Sequence, residues 1–495
     1  MLCKSYKIFY NIWMVSTLFF KSTTAEFLRA LHMAFFNKKV SVFSLIFFVT
    51  LLMTGCDSRP GREREQSGNQ ELRELLETIS VDSIESNIRT LADFHTRHTS
   101  SDTTSDTTGI GAARRWIYDR FKQYGTLSGS RLQVSYESYL ETDNPRIEEP
   151  TRIVNIVGIL PGTQLESKER MYVVSGHYDS RVSDVMDDSS YAPGANDDAS
   201  GTAAVMELAR VMSGREFDAT IVFMAVAGEE QGLLGSTYHA EQARRQQLNI
   251  EAMITNDIIG NTIKSTDGSV HDNEIRVFAQ GIPPGDSLSR HQRLLLQTGG
   301  ENDTPSRQLG RFIHRVGREY MPGLKVNVIY RKDRYLRGGD HSPFLEHGYP
   351  AVRFSEPHEY YERQHQDVRK EEGTQYGDLP KFVDYSYVGK IARLNAAVLA
   401  TLANAPARPR EVGIDVSRLE NSTTLVWKAN SEPDLKGYEI VWRSTNQPFW
   451  EHTEFAGDTT RFTVPGVSKD NYLFGVRAID QYGNRSPAVY PLPVR

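Results

Sequence analysis

Cysteine is almost missing from this chain. Among 495 residues there are two, Cys3 and Cys56, and both lie near the N-terminus. Everything beyond residue 56 therefore has neither a disulfide nor a thiolate metal ligand. A metal site there must be built from His, Asp and Glu, a donor set that suits Zn, Mn or Co rather than a soft metal. A basic excess is missing too: the formal net charge is −6, with no basic stripe, which weighs against nucleic acid as a partner. Long hydrophobic runs are scarce, and the one that stands out, Val40 to Met53, is shorter than the roughly 20 residues of a full membrane span. What remains is 24% charged and 39% apolar, over a length that suits about two or three globular domains.

Lys38 and Lys39 precede the apolar run, which is interrupted only by Ser41, Ser44 and Thr50 and ends in Thr54-Gly55-Cys56. A charged start, a short apolar stretch and small residues at its end read as an export signal. The segment Leu52-Met53-Thr54-Gly55-Cys56 resembles a bacterial lipobox, with Met53 where Leu is commoner. That resemblance implies acylation of Cys56, a membrane partner through the lipid, and a place in the bacterial cell envelope. Met33, followed by Ala-Phe-Phe-Asn-Lys-Lys, is the more natural initiator. Residues 1–56 are thus expected to be a signal, and residues 57–75 a polar tether.

Helical spacing begins with Leu72, Leu75, Leu76 and Ile79, and a second helix is expected from Gly111 to Tyr124. Strands are expected at Ile153–Leu160, Met171–Gly176, Ala219–Ala227, Glu251–Thr255 and Ala351–Phe354. Helices are expected at Gly201–Met212 and Gly389–Ala403. Such alternation implies an α/β domain over residues 76–405, with a mostly parallel, mixed sheet covered by helices on both faces. Residues 406–410 read as a linker. Residues 411–495 carry short alternating stretches around Trp427, Tyr438 and Tyr472, the pattern of a small all-β sandwich, and resemble a fibronectin type III domain. That module is expected to bind a protein or a polysaccharide, or to act as a spacer.

The chemically competent residues cluster just past the expected strand ends. His177 follows one strand within Gly-His-Tyr-Asp-Ser. Asp197 lies in Pro-Gly-Ala-Asn-Asp-Asp-Ala-Ser-Gly. Glu229 and Glu230 follow the apolar run Ile221–Ala227, Asp257 ends another strand, and His365 sits in Gln-His-Gln-Asp. Each alone is weak, but adjacent carboxylates at the end of a buried strand need cations, since buried Glu and Asp are rare without partners. In open α/β sheets, ligands bind at this carboxyl edge.

Taken in order, these motifs resemble the M28 family of co-catalytic zinc aminopeptidases over about residues 76–403. The resemblance implies two Zn²⁺ ions, with Mn²⁺ or Co²⁺ as substitutes. Asp197 would bridge them, His177 and Asp257 would hold one, and Glu230 and His365 the other. Glu229 would be the general base acting on a metal-activated bridging water, and Asp179 would orient His177. Tyr335 and His341 resemble residues that line the site near substrate and tetrahedral intermediate. The implied activity is release of N-terminal residues from peptides. The competing readings are a glutaminyl cyclase-like acyltransferase on the same fold, a carboxypeptidase, and a non-catalytic surface-binding lipoprotein.

Overall fold

Apolar residues alternate along the central strands, and a computed structural model shows where each set goes. The structure describes residues 60–283 and 288–495. The export signal, with Cys56 and Met33, lies outside the described residues, as do the first residues of the expected tether. The rest of that tether is helical: α1 (Pro60–Glu77) begins well before Leu72, the first residue of its buried stripe. Proline fits a first helical turn, and Arg, Glu and Gln are strong helix formers. The helix therefore extends beyond the part that hydrophobic periodicity reveals.

The α/β domain continues through α2 (Val81–Ala92), α3 (Gly109–Leu127), β1 (Gln133–Glu141), β2 (Thr151–Leu160), β3 (Arg170–His177), α4 (Ala199–Met212), β4 (Thr220–Val226), α5 (Leu234–Arg245) and β5 (Asn249–Asn256). Then come β6 (Glu274–Ala279), α6 (Arg290–Gln297), α7 (Pro305–Tyr320), β7 (Lys325–Ile329), α8 (His341–Glu346), β8 (Ala351–Ser355), a minimal hairpin β9 (Lys370–Glu371) and β10 (Thr374–Gln375), and α9 (Tyr385–Asn404). Eight strands form one mixed sheet in the order β1-β2-β4-β3-β5-β8-β6-β7. Its centre, β4-β3-β5-β8, is parallel.

Alternation along these strands feeds two cores. Tyr172, Val174, Ile221, Phe223 and Ala225 pack into the larger one with α2, α4, α7 and α9. Val173, Val222, Met224 and Val226 face the other way, onto Ala240 and Ala243 of α5 and Phe344 of α8. With both faces buried, the strand interior offers polar groups no water, so polar residues concentrate at the sheet's edge. The parallel strands end level with one another, Ser175 opposite Thr255 and Gly176 opposite Ala225. Their carboxyl ends therefore open onto one shallow region.

After α9 the chain forms β11 (Arg410–Asp415), β12 (Thr423–Lys428), β13 (Leu435–Ser444), β14 (His452–Gly457), β15 (Arg461–Val464), β16 (Tyr472–Asp480) and β17 (Leu492–Val494). They form two sheets, β15-β12-β11-β17 and β14-β13-β16, closed over Leu425, Trp427, Tyr438, Ile440, Phe474 and Val476. The sandwich docks on the α/β domain through Asp303, whose buried carboxylate accepts from Arg443 of β13 at 2.7 Å and pairs with Arg311 of α7 at 3.2 Å. Removing one partner of such a buried group leaves uncompensated charge. Asp303→Asn is therefore expected to cost about 3–5 kcal/mol in urea unfolding; a loss below about 1 kcal/mol would show that Asp303 does not hold the junction.

Candidate metal centre

Close approach of α4 to β3 sets the position of His177. A Cβ on Gly176 would come within 2.5 Å of the Gly201 and Thr202 backbone, so only glycine lets the helix start lie against the strand end. Asp198 caps that helix and does more. Its carboxylate accepts from the backbone N–H of Gly201 at 2.9 Å, of His177 at 3.1 Å and of Ile258 at 3.3 Å. One side chain thereby ties together the end of β3, the start of α4 and the segment after β5. The sequence reading passed over Asp198, although an Asp just ahead of an Ala-rich helix carries an N-cap signature.

The five expected ligands come together. His177 Nε2 lies 3.1 Å from Asp197 Oδ1 and 3.9 Å from Asp257 Oδ1. His365 Nε2 lies 2.8 Å from Asp197 Oδ2 and 2.8 Å from Glu230 Oε1. The two oxygens of Asp197 thus face two different imidazoles. Asp197, Glu230 and His365 offer ligand atoms within 4.8 Å of one another, and so do His177, Glu229 and Asp257.

The chemistry of this donor set fits divalent cations. His177, Asp197, Glu230 and Asp257 are all buried. Burial pulls the His177 imidazole down, but Asp179, Asp197 and Asp257 lift its pKa well above the ordinary value. Burial opposes ionisation of Asp197 too, but His365 and His177 hold its carboxyl well below the usual range. Glu230 Oε1 makes no well-directed hydrogen bond although His365 Nε2 stands 2.8 Å away. Against the pull of burial, the Glu230 and Asp197 charges lift that imidazole to about 10, a crowding that a cation between the two would relieve. Buried Asp340 also leaves both carboxylate oxygens without hydrogen bonds, and burial with neighbouring Asp179 and Asp257 pushes it up to about 7. Burial, reinforced by the Asp257, Glu230 and Asp340 charges, drives Glu229 well above the carboxylate range. Protons compensate this crowding only in part; a metal that displaces them from the imidazoles binds with proton release.

The surrounding groups aim the ligands. Asp179 differs from expectation in its main contacts. Its carboxylate is 3.6 Å from His177 Nδ1, which lies nearer, at 3.3 Å, to the Asp179 backbone carbonyl. The carboxylate instead accepts the backbone N–H of Glu229 at 3.3 Å and of Glu230 at 3.1 Å. Arg181 reaches Glu230 Oε2 at 2.9 Å and His365 Nδ1 at 2.7 Å. Fully buried Arg353 pairs with Asp257 at 2.9 Å. Asp378 Oδ2 accepts the N–H groups of Asn196 and Asp197 at 2.8 and 2.7 Å. Buried Arg97 donates to the carbonyls of Leu91, Tyr178, Pro193 and Gly194, clamping the loop that leads to Asp197. Ile258 and His365 both adopt positive φ, at 63° and 55°, a conformation that costs L residues about 1 kcal/mol or more and is retained where function fixes the backbone.

Two expected substrate-side residues separate. Tyr335 is 76% exposed on the loop before α8. A side chain added to Gly339 of the same loop would come 3.3 Å from Asp257 Oδ2, so this loop borders the centre. His341, by contrast, is fully buried, with Nε2 bonded to the Lys332 carbonyl at 2.7 Å and its pKa lowered by burial to about 4. It supports the loop from within. Another group with metal-ligating side chains, His271, Glu274 and His358, is half-buried and lies apart from these five.

The chain is similar to known proteins over much of its length. Residues 155–386 match the profile of Peptidase family M28. A probable zinc metalloprotease of Leptosphaeria maculans is 47% identical over 424 residues, covering 86% of this chain and 97% of that protein. Another, of Pyricularia oryzae, is 46% identical over 433 residues, covering 86% of each. Among solved structures, the LapA aminopeptidase of Legionella pneumophila aligns over 68% of this chain and 75% of its own, at 20% identity and a TM-score of 0.48.

Because the carboxylates repel one another without cations, chelation should destabilise the fold. Calorimetry before and after dialysis against EDTA is expected to show a fall in Tm of at least about 5 °C, restored by zinc. An unchanged Tm would show that these residues do not bind metal tightly.

Proposed function

The chain belongs to peptidase family M28, as a zinc metalloprotease, and from that premise we propose that it is an aminopeptidase using two zinc ions. The observation that supports this most is Asp197, whose two oxygens face His177 and His365 at 3.1 and 2.8 Å. His177 and Asp257 would hold one ion, Glu230 and His365 the other, and Asp197 both. Bound there, the ions would supply Lewis-acid polarisation of the scissile carbonyl and a lowered pKa for water.

The protein's own part is proton transfer and aim. Glu229 adjoins Glu230 in the chain and clusters with His177 and Asp257. It is half-buried where Glu230 is buried, which leaves it access to the cleft. It takes the proton of the attacking water and returns it to the leaving amine. Asp179, through the two N–H groups it accepts, sets the direction of that side chain and of Glu230. Tyr335, exposed on the loop that borders the centre, would meet the substrate.

Export through the Lys38–Cys56 segment and attachment through acylated Cys56 complete the reading. The bacterial envelope rests on the lipobox-like residues alone, and the two relatives described above are fungal. The C-terminal sandwich serves as a fibronectin type III-like spacer or partner-binding module.

Glu229→Gln tests the assignment. The variant is expected to keep about two metals per chain and to lose hydrolysis of leucine-p-nitroanilide by roughly 10²–10⁴-fold. Loss of a metal would make Glu229 a ligand, and retained activity would remove it from the reaction. Cyclisation of N-terminal glutamine by the wild type, without peptide hydrolysis, would turn the assignment toward acyl transfer.

A further inference from the structure

Away from the metal centre, a cleft of about 370 Å³ lies between α7 and the sandwich. Its wall is strongly cationic. Arg311, Arg315 and Arg318 follow one another on one face of α7, and Arg477 of β16 lines the same cleft. The carboxylate among the lining residues is Glu319, which is paired with Arg315 at 3.0 Å. The acids behind the wall are already divided: Asp303 serves both Arg311 and Arg443, and Glu439 serves both Arg477 and Arg485.

Two donors in this wall have no acceptor. Arg311 is only 4% exposed, and its Nη2 has no hydrogen-bond partner; neither has Nη2 of Arg315. Leaving buried guanidinium donors unsatisfied is costly unless something fills the site. Burial, with the positive charges of Arg477 and Arg485, lowers Arg315 to about 10 against the pull of Glu319. Such mutual repulsion is relieved by an anion. The aromatic neighbours are already occupied: Arg311 lies over Trp450 at 5.8 Å, and Phe449 stacks on His314 at 3.9 Å. Recognition must therefore come from charge and hydrogen bonding rather than from ring stacking.

We propose that this inter-domain cleft binds a phosphate group, free or carried on a small molecule, through Arg311, Arg315, Arg318 and Arg477. Guanidinium forks match phosphate oxygens in geometry and charge, and the volume admits a small ligand. The cleft lies across the junction that Asp303 and Arg443 hold, so an anion there adds a further bridge between the α/β domain and the sandwich.

The test uses the full zinc-loaded chain with its metal centre blocked by a peptide hydroxamate. Orthophosphate, pyrophosphate and ADP are titrated calorimetrically against the wild type and against Arg315→Gln/Arg318→Gln. Arg318 is exposed and Arg315 is half-buried, so the double variant should fold. The expected result is one site per chain in the wild type, weakened at least about tenfold in the variant, with Tm unchanged and with leucine-p-nitroanilide hydrolysis, assayed without the hydroxamate, unchanged as well. Tighter binding of pyrophosphate or ADP would identify a carried phosphate; preference for orthophosphate would identify the free ion. Absence of binding in the wild type, equal affinity in the variant, or binding that vanishes once the metal centre is blocked would overturn the proposal.

Discussion

The structure is organised around one electrostatic constraint: several carboxylates and two imidazoles are gathered at the end of a buried sheet, where water screens them little. Asp197 stands at the middle, shared between His177 and His365. Isolated charges in such a place would neutralise by shifting their pKa values. The shifts here run in opposite directions, with Asp197 held low and Glu229 driven high. A group of neighbours pushed apart in this way is typical of a site that carries out chemistry, and bound zinc would balance it.

Much of the remaining architecture serves to keep that cluster assembled. The parallel strands bring His177, Glu230 and Asp257 to one edge because they end level, and the two cores on opposite faces leave no other place for them. Arginines do the local holding: buried Arg97 by its backbone contacts, buried Arg353 by its pair with Asp257, and half-buried Arg181 by reaching Glu230 and His365. Asp198 and Asp378 fix main-chain N–H groups rather than side chains. Ligand directions therefore depend on backbone position, which is why the strained φ values at Ile258 and His365 can be retained.

The central strands, and with them His177, Glu230 and Asp257, were legible in the sequence because apolar runs of strand length ended in or just before His, Glu and Asp, whereas Asp197 and His365 lie in loops and entered only through the ordered motifs that resemble family M28. Edge strands such as β1, with a mostly exposed alternation, left weaker marks, whereas α7 offered an apolar stripe of Leu309, Phe312, Ile313 and Val316 opposite its arginines that helical periodicity could have found. The helical part of the tether was hidden because Arg, Glu and Gln extend a helix without any apolar stripe. His341 shows the limit of motif reading: its position in the chain is close to the site, yet the side chain turns inward to Lys332. The contacts of Asp179 with the backbone of residues 229 and 230, and the pairing of Arg353 with Asp257, join segments far apart in sequence, so no local pattern announces them.

Diffraction from zinc-loaded crystals on either side of the zinc absorption edge measures directly where the proposed pair of metals sits. The account predicts two anomalous peaks about 3.5–4 Å apart. One should lie at His177 and Asp257, the other at Glu230 and His365, with Asp197 between them and Glu229 unligated. A single peak, or a pair held by Glu229 in place of Asp197, would contradict it.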